Sequence, residues 1–198
     1  MFKRFKALAP VVIASAAMFS VATSTQAQNA PQVKFATTAG DFVVEVYPDK
    51  APKTVENFLQ YVKEKHYDGT IFHRVIANFM VQGGGYDASY NEKKTRAPVV
   101  HEGREALAKG GPRNVVGTLA MARTNDPNSA TAQFFINVKD NAFLDPSAQQ
   151  PGYTVFGKVV TGLETIQKIK ASPTGSGGPF RSDVPQTPIL INSATLVK

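Results

Sequence analysis

Arg74 sits in the stretch FHRVIANFMVQGGG, residues 72–85, an apolar, strand-like run that ends in three glycines. An unpartnered guanidinium buried in such a run would be costly. Arg74 must therefore reach solvent or face something that uses it. The same stretch holds Phe79, Met80 and Gln82, and a second one, AQFFINV at 132–138, holds Gln133 and Phe135. Side chains alternate along a strand, so Met80 and Gln82 share one face, as do Gln133 and Phe135. Each strand thus sends one polar and one apolar residue to the same wall, while Phe134 and Ile136 face the core. Taken singly, each is ordinary: a strand arginine with its head in water, core phenylalanines, surface glutamines. The residues alone leave these readings open.

Other chemistries lack their residues. There is no cysteine nucleophile and no G-x-S-x-G elbow. His66, His73 and His101 lack metal-ligand spacing, Asp126-Pro127-Asn128 lacks the later ligands of a calcium loop, and no P-loop follows Gly83-Gly84-Gly85. No metal or cofactor is expected. An enzyme with this inventory runs a reaction that needs little covalent equipment.

The chain around these residues has 198 residues, 42% hydrophobic and 19% charged, which fits a soluble globular protein of one or two domains. Its beginning reads as a secretory signal peptide over residues 1–27. Lys3, Arg4 and Lys6 precede the apolar ALAPVVIASAAMFSVA, and Thr25-Gln26-Ala27 closes it as a cleavage site. Pro10 and Ser15 break the apolar run, so no lasting membrane association is expected. The leader carries three of the 22 basic residues and none of the 15 acidic ones, so the formal charge falls from +7 to +4 (19 against 15) on its removal. That is too little to argue for nucleic acid binding. The remaining 28–198 is long enough to fold without disulfides.

Elements that position the residues follow from periodicity. QVKFATTAGDFVVEVY reads as a hairpin with Val33, Phe35, Thr37, Phe42, Val44 and Val46 on its buried face. Val55, Phe58, Leu59 and Val62 form a helical stripe opened by Pro52 and closed by Asp68-Gly69. Residues 86–113 read as a long loop. GTLAMAR, AQFFINV and YTVFGKVV are strands, and Leu163, Ile166 and Ile169 mark a second helix. SPTGSGGPFRSDVPQTP reads as a loop, and PILINSATLVK as a closing strand. Seven or eight short strands with two helices far apart predict a mostly β, antiparallel barrel or sandwich capped by helices.

Two segments, FHRVIANFMVQGGG and GTLAMARTNDPNSATAQFFINVKDNAFLD, followed by YTVFGKVVTGLE, resemble the cyclophilins, which are peptidyl-prolyl cis–trans isomerases. The resemblance covers nearly all of 28–198 in order, and the MAR-T and DNAFLD wording is similar to the exported, periplasmic bacterial branch. It implies a closed eight-stranded antiparallel β-barrel with a helix at each open end and a shallow groove on its outer wall. It implies that Arg74 is catalytic, that Phe79, Met80, Phe135 and Leu144 receive the proline ring, and that Gln82 and Gln133 surround the substrate backbone. It implies that the main chain of Ala122, Arg123 and Thr124 pairs with substrate, with Phe143 and Tyr153 at two further pocket positions. His73 would be structural, hydrogen-bonded near the groove.

Familiar members have Trp where this chain has Phe143, His where it has Tyr153, commonly Asn at 123, and Pro-Gly where it has Ala77-Asn78. The Trp replacement implies weak cyclosporin binding. The partners implied are proline-containing peptides and unfolded exported proteins, met by a monomer. Two alternatives remain at this point: a holdase that captures proline segments without turning them over, and a ligand carrier with an open barrel interior.

Overall fold

The structure, a computed structural model, describes residues 30–197. The leader expected over 1–27 lies outside them. Among the described residues ten strands are present in chain order: β1 (Gln32–Thr37), β2 (Gly40–Val46), β3 (Thr70–Ile76), β4 (Met80–Asp87), β5 (Thr118–Met121), β6 (Phe134–Asn137), β7 (Val155–Thr161), β8 (Thr174–Gly177), β9 (Phe180–Pro185) and β10 (Leu190–Leu196). Helices are α1 (Pro52–Lys63), α2 (Gly103–Ala108) and α3 (Leu163–Lys170). Eight strands close an antiparallel barrel in the order β1-β10-β3-β4-β6-β5-β7-β2.

The inward faces of these strands are apolar and fill the barrel. Phe35, Phe42, Phe72 and Phe134 are fully buried there and interlock as aromatic pairs; Phe35 and Phe42 stack at 4.9 Å. The longer helices seal this interior. α1 contributes Val55, Phe58, Tyr61 and Val62, and α3 contributes Ile166 and Ile169. Leu163, expected on the same stripe of α3, is instead 41% exposed. A barrel packed with rings has no lumen for a carried ligand, which removes the carrier alternative.

Two loop expectations are corrected. Residues 86–113 contain α2, a third helix where two were expected. The turn leading into it serves α1, whose N-cap Ala51 has no side-chain acceptor. The buried carboxylate of Glu102 accepts instead from Lys53 N (3.1 Å), Thr54 N (2.8 Å) and Thr54 Oγ1 (2.7 Å). Free amides at a helix start require such an acceptor, and a negative charge suits that end. SPTGSGGPFRSDVPQTP is no open loop either. β8 and β9 pair within it, and Phe180 packs against His73 and Tyr86 outside the barrel. Its glycines hide any strand alternation, so tertiary packing selects the hairpin.

Candidate active site

The strand carrying Arg74 breaks its own alternation. Phe72 faces Gly83 on β4, and Arg74 faces Gln82, so two steps on β3 match one on β4. His73 is the extra residue of a β-bulge, a device that re-aims side chains. Phe72 and Val75 both enter the interior, three residues apart, and Arg74 is turned outward.

One rung of the barrel wall then organises the site. Arg74 pairs with Gln82, Gln82 with Phe135, Phe135 with Ala120, and Ala120 with Val155. Met80, Ala120, Phe135, Leu144 and Val155 form a second apolar cluster outside the barrel, separate from the interior one. Met80, Phe135 and Leu144 of this cluster form the floor of a groove of about 330 Å³, lined besides by Arg74, Phe79, Gln82, Ala122, Arg123, Phe143 and Tyr153. Ten of the twelve residues singled out in the sequence thus meet in one place. Gln133 stands beside it, accepting from Gln82 Nε2 at 3.0 Å. Thr124 is exposed, and its N–H donates to Ser129 Oγ at 2.8 Å.

Arg74 is exposed and, among the described residues, no hydrogen bond or ion pair holds its guanidinium. Its donors are free toward the groove. Arg123 is held: Nε and Nη2 donate to the Gly152 carbonyl at 3.2 and 2.9 Å, and Nη1 donates to the Thr124 carbonyl at 2.7 Å. Its guanidinium carbon lies 4.5 Å over the Tyr153 ring, which meets Phe135 edge-on at 5.4 Å. Phe143, 65% exposed, stacks on Phe79 at 5.6 Å.

A family model described as "cyclophilin type peptidyl-prolyl cis-trans isomerase/CLD" matches residues 32–196, nearly all of the described chain. The chain belongs to that family. The chain is 52% identical over 168 residues to peptidyl-prolyl cis-trans isomerase cyp18 of Streptomyces antibioticus, covering 83% of this chain and 98% of that one. It is 46% identical over 198 residues to peptidyl-prolyl cis-trans isomerase A of Dickeya dadantii, covering 100% of both. A cyclophilin-type isomerase of Cryptosporidium parvum, crystallised in the presence of the dipeptide Ala-Pro, shares 25% identity with a TM-score of 0.66. That match covers 84% of this chain and 99% of that one. The expected cyclophilin fold and isomerase activity therefore stand, and the bacterial relatives support the bacterial branch.

Within this cyclophilin one support of the groove escaped the sequence reading and another departs from it. One is a buried polar network under the Ala142–Leu144 turn that carries Phe143 and Leu144. Asn141 Nδ2 donates to the Phe79 carbonyl (2.9 Å) and to Asn137 Oδ1 (2.7 Å). Asn137 Nδ2 donates to Asn114 Oδ1 (3.2 Å) and Thr118 Oγ1 (3.0 Å), and Asn114 donates twice to Asp145 Oδ1 (2.8 and 3.0 Å). Asn141 was in view in DNAFLD, but asparagine in a turn signals only the turn.

The other is His73. It is 3% exposed, stacked on Phe180 at 5.4 Å and edge-on to Tyr86 at 4.8 Å. Its Nδ1 has no hydrogen-bond partner, which corrects the expectation of a hydrogen-bonded histidine. Burial pulls its pKa down to about 4; the Ile71 backbone opposes this without reaching hydrogen-bond geometry to Nδ1. Beside Arg74, the ring is therefore neutral.

Proposed function

We propose that Arg74 is the catalytic group of this isomerase and that its clients are unfolded proteins exported with it. Rotating an X–Pro bond costs about 18–20 kcal/mol because amide resonance is lost. As the bond twists, the prolyl nitrogen regains its lone pair. A donor aimed at that nitrogen binds the twisted amide better than the planar one, which is what lowers a barrier. Arginine suits the task, being permanently charged with several donors in a fixed fork. The observation that carries the reading is the unpartnered guanidinium of Arg74 beside the floor of Met80, Phe135 and Leu144. That floor fits a proline ring, as the Ala-Pro of the Cryptosporidium crystals suggests by analogy. Its apolar surface strengthens the donor's effect.

Cis prolines slow folding, which gives such an enzyme its use among exported chains. Residues 1–27 are the proposed export signal and the periplasm the proposed compartment. The reading keeps a working monomer, and Phe143 in place of Trp implies weak cyclosporin binding. No second site for membrane or nucleic acid enters this reading.

The test is Arg74→Ala on residues 28–198, assayed by exchange spectroscopy on an Ala-Pro peptide. Loss of one preorganised donor should lower kcat/KM by about 10²- to 10³-fold. Unchanged turnover in the folded variant would remove Arg74 from the mechanism.

A further inference from the structure

We propose that the groove selects proline segments flanked by acidic residues, because it carries two uncompensated arginines and no carboxylate. The proposal rests on this groove being the peptide site and names the substrate class it prefers.

Arg74 lines the groove with no partner of its own. Arg123 also lines it, and its partners are neutral: the Gly152 and Thr124 carbonyls and the Tyr153 ring. Those bonds use three of five N–H groups, leave two to donate, and cancel none of the charge. Of the other described arginines, Arg113 pairs with Asp145 at 3.1 Å and Arg96 with Glu64 at 2.7 Å, while Arg104 and Arg181 have no carboxylate partner. No acid stands among the lining residues. Asp126, near Arg123 in sequence, is exposed on the following turn, with Oδ1 taken by Asn128 N at 2.8 Å.

A proline ring on the floor leaves its neighbours to pass along the groove beside Arg123, while Arg74 serves the prolyl nitrogen and adds to the positive field. An acid there meets a cation; a lysine meets a like charge. Arg123 is already fixed by its three bonds and the ring beneath it, so pairing orders little further side-chain motion.

Three peptides of the form Ala-X-Pro-X-Ala, with X as Glu, Gln or Lys, decide the matter by exchange spectroscopy. Placing X on both sides makes the result independent of peptide direction. Exposed ion pairs are modest, so the expected kcat/KM ratio of Glu over Lys peptide is about fourfold or more at low ionic strength. It should shrink toward unity in roughly molar salt. Arg123→Gln should at least halve the ratio, and Arg123→Lys should keep most of it. Equal rates for the Glu and Lys peptides beside normal turnover of the Gln peptide would overturn the preference alone. A full ratio in Arg123→Gln would overturn it too. No turnover of any of the three would bring down the isomerase reading and the preference with it.

Discussion

Phe72 and Arg74 lie two residues apart on β3, yet one points into the barrel and the other onto its outer wall. Strict alternation would put both on one face. The bulge at His73 separates them, and Val75 resumes the inward set. Without it the guanidinium would enter a core of phenylalanine rings with no partner, at a penalty of several kcal/mol. The orientation of the proposed catalytic group is therefore a property of strand register, held by a buried ring under the β8–β9 hairpin.

That ring makes stability depend on pH. Above the ordinary histidine pKa, His73 is neutral in both the folded and unfolded chain and contributes no slope. As pH falls below it, the unfolded chain binds a proton that the folded chain, with its pKa near 4, refuses. Stability should drop by on the order of 3 kcal/mol as the pH falls through that window. His73→Phe should remove most of this component, read as urea midpoints at about pH 7.5 and pH 4.5. Burial also lowers the pKa of His66 and His101, so a residual slope will stay. An undiminished slope in the variant would assign the effect elsewhere.

Asn141→Ala should destabilise the fold by about 2–3 kcal/mol, because Asn137 Oδ1 loses its buried donor. The Phe79 carbonyl keeps the Val138 N–H at 3.1 Å, which limits the loss. KM should rise as well, since the turn bearing Phe143 and Leu144 starts at this residue. Urea unfolding and peptide kinetics on one preparation test both; a change in neither would make the network decorative.

Gly85 lies directly beneath Gln133. A Cβ there would stand 2.5 Å from Gln133 Cγ and 2.6 Å from its Nε2. The clash reaches back to Cγ, so the half-exposed Gln133 side chain must change rotamer, and Gly85→Ala should cost about 1–2 kcal/mol of stability. It should break the Gln82–Gln133 bond and raise KM about 2- to 10-fold, the worth of one hydrogen bond. An unchanged KM would contradict this.

Phe143→Trp should tighten cyclosporin binding by roughly tenfold or more. The indole adds apolar area and an N–H donor at an exposed rim position where Phe offers a smaller ring and no donor. Isothermal titration of both proteins measures it, and equal affinities would show that position 143 does not govern the ligand.

By itself the sequence determined which residues share a face on a regular strand or helix, and its resemblance to the cyclophilins supplied the cast of the groove. Alternation at Met80/Gln82 and Gln133/Phe135 is local, and so is the stripe Val55, Phe58, Val62; these arise from the backbone's own period and were legible. Tertiary structure alone decided what depends on distant partners. The bulge at His73 exists only against β4, since register is a relation between strands. The β8–β9 hairpin has no pattern of its own and forms because Phe180 covers His73. Glu102 caps a helix 48 residues away in sequence, and Asn141 finds its acceptor 62 residues back. Buried polar groups must be paired, but a sequence does not say with whom. The same holds for Arg123, whose charge was plain from the start and whose neutral anchorage at Gly152 appears only once the chain has folded.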